Sequence, residues 1–466
     1  MTELLPVGFP KTFKWGSSTN AQQFEGGSNA GNKGVSIADV RQTASSQTNT
    51  AASSADFADF KTASDHYHRF KEDIALYGEM GFQIYRFTMA WTRIFPNGDE
   101  ATPNQAGLDY YDAMLAELEK YHIEPVVTLY AYDLPLHLLQ AYNGWMDRQI
   151  ITDYLHYVKT VVTYFKGRVK YWVPFNEQNF LPMDSQYMTG YHGKNKTEIF
   201  KMQHYFNLSY AQATVLVHEV DPQAQVGGNI GNICAYPMTA DPKDVEATDG
   251  LLKRVGYGPA DVYFRGKYAP FYLKAFPGAD FDQVIEPGDL AIIAKAEPDF
   301  MSLTYYMSSA ISAQQTDLSH EMNGIKAPNP YVATSEWGWT IDPYGFKHYL
   351  EDFYSRYQLP ILILENGLGA RDTLEADGTV VDNYRIKYLA DHIEKMREAV
   401  EDGVEMVGYL TWSATDLYST REGFEKRYGF VYVDKTQQLK RIKKQSFYWY
   451  QRVIATNGAN LKLTLD

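Results

Sequence analysis

Along this chain, short apolar runs alternate with longer stretches in which apolar residues recur every three or four positions. The runs are Phe13–Gly16, Ile84–Phe87, Pro125–Leu129, Tyr171–Phe175, Gln225–Gly228, Phe300–Leu303, Ile361–Leu364 and Met406–Leu410. Helical patterns lie between them, as at Asp65–Met80 and Tyr384–Glu401. Apolar strands separated by helices predict a parallel sheet covered on both faces. Eight such units predict an α/β fold closed as a (β/α)8 TIM barrel with elaborated βα loops, rather than an open sheet. No repeat or clear linker interrupts the pattern, so residues 1–466 are expected to form a single catalytic domain. Thr43–Ala55 is rich in Ser, Thr, Ala and Gln and reads as a surface loop, and Asp241–Asp261 is mixed and polar.

In such a barrel, chemistry is built where strands end at their C-terminal side. Two runs end there in a glutamate: Tyr171-Trp172-Val173-Pro174-Phe175-Asn176-Glu177 and Ile361-Leu362-Ile363-Leu364-Glu365-Asn366-Gly367. A carboxylate directly after a buried run is costly unless it is paired. Either glutamate alone reads equally well as a surface residue just past a strand. Together they suit cleavage of an acetal, in which one protonated carboxyl serves the leaving oxygen and one carboxylate faces the anomeric carbon.

Composition narrows the partners. A net charge of −14 argues against nucleic acid, whose phosphates need a broad Lys/Arg field, but leaves room for one small phosphate in a local basic pocket. The aromatic share of 15 % suits sugar-ring faces and a large core alike. Cys234 is the one cysteine, which excludes an intramolecular disulfide. With no basic or apolar leader at Met1–Pro10 and no run of membrane-spanning length, the expectation is a cytoplasmic enzyme without a membrane partner. His66 and His68 could suggest a metal by spacing, but neither they nor the remaining histidines form a recognisable ligand set, so no metal is expected.

Further segments carry a resemblance. Phe13-Lys14-Trp15-Gly16, Gln23-Phe24-Glu25-Gly26, Tyr85-Arg86-Phe87, Trp91-Thr92-Arg93-Ile94-Phe95-Pro96 and Trp412 stand in order around Asn176-Glu177 and Glu365-Asn366-Gly367. From Phe9 to about Tyr450 the chain resembles glycoside hydrolase family 1. The resemblance implies Glu177 as general acid/base and Glu365 as nucleophile, acting with net retention and no metal or cofactor. It implies that Asn176 meets the sugar 2-hydroxyl and that Gln23 and Trp412 contact the glycone. Arg86 and Tyr306 are implied as the cation and the hydroxyl that support the nucleophile.

The chain also departs from the family. Ala131 stands where a histidine is usual, which removes a hydrogen bond to the sugar; an unmade bond of this kind costs roughly 1–3 kcal/mol. Thr304 replaces the usual Asn or Ser, Pro174 the usual Thr, and Gln178 the usual Pro.

After Trp412, Ser419 occupies the place where β-glucosidases of the family usually carry a glutamate, with Lys426 and Tyr428 following. A carboxylate there would repel a phosphate, whereas a hydroxyl, an ammonium and a phenol supply donors. The pattern Ser-x6-Lys-x-Tyr resembles the 6-phospho-β-glycosidase branch. It implies hydrolysis of a phosphorylated disaccharide or an aryl or alkyl glycoside 6-phosphate, releasing glucose 6-phosphate. Thr420, in place of the tryptophan typical of the galactosidase type, points to 6-phospho-β-glucosides. The wording of Gly423–Tyr428 is nearer the galactosidase type, so both sugars stay open. The rival readings are a β-glycosidase for unphosphorylated sugars and a sugar-binding relative without turnover.

Overall fold

Ile361-Leu362-Ile363-Leu364 offers no polar face, and a strand of this kind is stable only with neighbours on both sides. The computed structural model, which describes residues 7–41, 59–314 and 329–464, supplies them. Eight strands are present in the barrel: β1 (Lys14–Ser18), β2 (Ile84–Thr88), β3 (Glu124–Thr128), β4 (Tyr171–Val173), β5 (Gln225–Ile230), β6 (Phe300–Tyr305), β7 (Ile361–Asn366) and β8 (Met406–Trp412). Each pairs in parallel with its sequence neighbours, and β1 closes the ring on β8. All eight expected runs are strands, shifted by no more than a few residues at their ends. The barrel interior is filled by Ile84, Val126, Val173, Phe300, Leu362 and Leu364, with others. It is a packed core, so a ligand can enter only at the rim.

Helices cover the outside. Asn383–Glu401 buries Ile386, Leu389, Ile393, Met396 and Val400, a stripe at helical spacing. His66–Met80 stops at Gly81, which takes a left-handed φ of 86° that a side chain would resist. Asp241–Asp261, polar in sequence, is largely helical: Pro242–Leu251, a wider turn at Leu252–Tyr257, then Gly258–Arg265. The first of these buries Asp244, Thr248 and Leu251, which stand at helical spacing, but two of the three are polar, so no apolar period marks the helix in the sequence. Thr43–Ala55 lies outside the described residues.

Between β6 and β7 the pairing register shifts at Leu303/Thr304. Such irregularities bend a strand and redirect its side chains. This one lies at the C-terminal ends of the two strands, beside Glu365. Among the described residues no helix is long and apolar enough to cross a membrane.

Candidate active site

β7 carries Glu365 at its C-terminal end, and Glu177 follows β4 after a short turn. The two carboxyls are supported differently. Glu365 is 4 % exposed and receives Arg86 Nη1 at 2.8 Å on Oε1 and the Tyr306 hydroxyl at 2.7 Å on Oε2. Its pKa is raised overall: burial lifts it further than the Arg86 charge and the two hydrogen bonds bring it down. Arg86, fully buried on β2, also donates from Nη2 to Asn176 Oδ1 at 2.7 Å and from Nε to Thr128 at 2.8 Å. The ion pair between this guanidinium and Glu365 favours the ionised form of the carboxyl.

Among the described residues, Glu177 has no cation in hydrogen-bond contact. Its Oε1 accepts from the Thr304 hydroxyl at 2.6 Å and its Oε2 from the Tyr132 hydroxyl at 2.9 Å. Burial, with the Glu365 charge added, pushes its pKa up to about 7. Both carboxyls are raised by burial, but Glu365 has a guanidinium in contact, so Glu365 ionises first and its charge helps Glu177 keep a proton near neutrality. Glu177 takes a left-handed backbone at φ 42°, and its N–H donates to Asn229 at 2.7 Å. A non-glycine residue in that region costs on the order of 1–3 kcal/mol, a strain common at reactive positions.

One polar hollow at the barrel rim brings the remaining sequence-predicted residues together. Gln23, Asn176, Tyr306 and Trp412 line it near the two glutamates, and Ser419, Lys426 and Tyr428 line it on the loop after β8. Lys426 is only 2 % exposed. Its ammonium sits 3.7 Å from the Trp339 ring centre and 4.0 Å from Glu422 Oε2. Aromatic faces attract a buried cation, which holds the charge in place beside the hollow. Gly369 leaves the room: a Cβ there would lie 2.6 Å from Lys426 Cε. Arg427 faces the other way, donating to buried Asp416 at 2.7 Å, so it braces the loop. Tyr428 is buried, and its phenol is held well above its ordinary pKa by burial and by the Glu422 and Glu365 charges.

Sequence reasoning missed several lining residues. Trp339 belongs to no strand and follows no motif, yet it packs edge-on against Tyr306 with ring centres 5.4 Å apart. Glu422 returns a carboxylate to the loop: the Ser419 hydroxyl donates to it at 2.8 Å. Tyr132 and Tyr187 line the same hollow. The departures from the family are accommodated in different ways. Thr304 holds Glu177, and Gln178 donates to Asn207 at 3.1 Å. Ala131 is buried, with its carbonyl taken by Gln22 at 3.1 Å. His66 and His68 bind Asp73 and Asp65 respectively.

A second hollow adjoins the first at Glu177, Tyr306 and Trp339. Its walls include Phe180, Met183, Ile233 and Met307, and they are mostly apolar. A polar chamber with two carboxyls and an apolar chamber thus share Glu177 at their junction.

The model of glycosyl hydrolase family 1 matches residues 6–459. An aryl-phospho-β-D-glucosidase of Bacillus subtilis (strain 168) is 42 % identical, over 97 % of this chain and 98 % of its own length. A 6-phospho-β-glucosidase of Clostridium longisporum is also 42 % identical, over 98 % and 99 %. The solved family 1 β-glucosidase from Thermotoga maritima superposes with a TM-score of 0.84 at 30 % identity, covering 97 % of this chain and 99 % of that one. Matched along nearly its whole length, the chain belongs to glycosyl hydrolase family 1.

Proposed function

We propose that this chain is a single-domain retaining 6-phospho-β-glucosidase that releases glucose 6-phosphate. The observation that carries this reading is the buried ammonium of Lys426, set with Ser419 and Tyr428 at one end of the hollow that holds Glu177 and Glu365. Three donors there suit a dianionic phosphate, which answers the Lys426 charge more fully than a neutral 6-hydroxyl would. In this reading the Ser419 hydroxyl, which donates to Glu422 at 2.8 Å, turns to a phosphate oxygen in the complex.

The steps follow from the geometry. Ionised Glu365 attacks the anomeric carbon while Glu177 protonates the leaving oxygen, and a glycosyl ester forms on Glu365. Water then enters, Glu177 takes its proton, and the ester is displaced. Two inversions give net retention. Asn176, fixed by Arg86, faces the 2-hydroxyl, and Gln23 and Trp412 contact the remaining glycone. The apolar hollow beside Glu177 receives the aglycone, and its walls suit an aryl group at least as well as a second sugar. We place the enzyme in the cytoplasm, where a single cysteine needs no partner and phosphorylated sugars are retained. Following the first-formed anomer by NMR with nitrophenyl β-D-glucoside 6-phosphate tests the reaction. β-Glucose 6-phosphate must appear first, and initial α product would overturn it.

Glu177→Gln removes the proton donor and keeps the shape. For poor leaving groups kcat/KM is expected to fall by roughly 10²–10⁴-fold, and for dinitrophenyl substrates by only a few-fold. In the unaltered enzyme, kcat/KM for poor leaving groups falls as pH rises through about 7, because Glu177 then loses its proton. Equal losses across a leaving-group series would remove the acid from this residue.

Thr420 lines the glycone hollow and receives the Tyr187 hydroxyl at 3.4 Å. If this position reads the sugar 4-hydroxyl, Thr420→Trp shifts the 6-phospho-glucoside to 6-phospho-galactoside ratio towards galactose by about tenfold, one good hydrogen bond. An unchanged ratio in a stably folded variant would place that recognition elsewhere.

A further inference from the structure

Tyr132 is one of the residues that sequence reasoning passed over, and its surroundings are specific. It is buried, it packs on Tyr187 with ring centres 5.0 Å apart, and it takes a left-handed backbone at φ 64°. A bulky aromatic residue rarely adopts that conformation without a compensating contact. Here the contact is its hydroxyl, which accepts from Asn176 Nδ2 at 3.0 Å and donates to Glu177 Oε2 at 2.9 Å.

The direction of these bonds is determined. Arg86 has donors only, so the Asn176 atom facing it must be the carbonyl oxygen. The Asn176 amide nitrogen therefore faces Tyr132, and an amide nitrogen can only donate. The phenolic oxygen is thereby occupied as an acceptor, and its hydrogen is aimed at Glu177. Arg86 thus directs two branches. One ends directly on Glu365, and the other runs through Asn176 and Tyr132 to Glu177.

We propose that Tyr132 is a positioning residue for the acid/base, its hydroxyl a one-way donor that holds Glu177 in place and favours its carboxylate form. The role matters in both steps. In the first step burial and the Glu365 charge favour the protonated acid; in the second, Glu365 is a neutral ester, but burial still favours the protonated form and would weaken Glu177 as a base for water. A fixed donor on Oε2 counters this, so that one residue serves both steps near the same pH. The other groups facing Glu177 are Glu365 on β7, Arg86 on β2, Thr304 and Tyr306 on or just after β6, and Tyr349 on the helix Pro343–Tyr357. Thr304 has a rotatable hydroxyl and can follow the proton, whereas Tyr132 cannot while Asn176 holds it.

The inference rests on the proposed acid/base role of Glu177, so Glu177→Gln is its control. The test is Tyr132→Phe, which keeps the ring and its packing and removes the hydroxyl. The alkaline limb of kcat/KM for a poor leaving group is expected to move up by about one pH unit, since the charged form loses a donor. Carboxyl-carbon NMR of the free enzyme, with Glu177 assigned by its absence in Glu177→Gln, reads the same shift without turnover. A thermal melt shows whether the variant is folded, and the NMR titration applies whatever its activity. A limb that stays in place, or moves down, in the folded variant would overturn the positioning role. If instead Glu177→Gln leaves the alkaline limb intact, the acid/base assignment itself fails, and the two failures are distinguished.

Discussion

Replacing Glu365 by alanine is expected to lower kcat on nitrophenyl β-D-glucoside 6-phosphate by at least roughly 10⁵-fold, because loss of a covalent nucleophile removes the reaction path. Among the described residues, no other carboxylate in the hollow has the same support, since only Glu365 receives both Arg86 and Tyr306. Glu177 cannot substitute: it is pushed up to about 7 and is held by Thr304 and Tyr132. Alanine leaves space in front of Arg86, and added azide should enter it. The azide then attacks the anomeric carbon from the nucleophile's side and gives the α-azido sugar 6-phosphate, a single inversion. Rescue should depend on azide concentration and be absent in the unaltered enzyme. An alanine variant that hydrolyses the substrate at nearly the original rate without azide would remove Glu365 from the mechanism.

Lys426→Ala is expected to act on one substrate only. Charge-assisted hydrogen bonds are worth roughly 1.5–3 kcal/mol, so kcat/KM for the phosphorylated glucoside should fall by about 10- to 100-fold. Activity on the plain glucoside should stay within a few-fold, which also controls for general loss of folding. Binding energy from the remote phosphate can be used to align the anomeric carbon on Glu365, so kcat is expected to fall together with a rise in KM. The ammonium is held by the Trp339 face at 3.7 Å and lies 4.0 Å from Glu422, which sets it beside the hollow instead of out in solvent. A variant that keeps its discrimination would make the loop a structural charge cluster, like the Arg427–Asp416 pair behind it.

How much of this was legible in the sequence depended on whether a residue belonged to a strand. Runs such as Ile361–Leu364 show their buried position directly, because both faces of a barrel strand are covered. The glutamates at two strand ends stand out for the same reason, as charges where apolar residues stop. Loop residues carry no such period. Tyr132 enters the site through a left-handed turn, and Trp339 reaches Lys426 from a segment without regular structure. Glu422 is three residues from Ser419, and only the folded loop brings its carboxylate onto that hydroxyl. Thr304 read as a departure from a family pattern. Its role at Glu177 depends on the register shift beside it, which no local sequence signal announces. Lys426 stood between these cases: its spacing from Ser419 and Tyr428 was visible, while the aromatic wall that holds it was not.

Selection of a 6-phosphorylated glucoside by this site is read from one ratio. It is kcat/KM for 4-nitrophenyl β-D-glucoside 6-phosphate divided by kcat/KM for 4-nitrophenyl β-D-glucoside, measured with the unaltered enzyme at one pH and ionic strength. Two charge-assisted contacts to the phosphate place the ratio at about 100 or above. A ratio near or below unity, with good turnover of the plain glucoside, would rule out a phosphate site at Lys426 and give Glu422 the part of a carboxylate that grips free sugar hydroxyls.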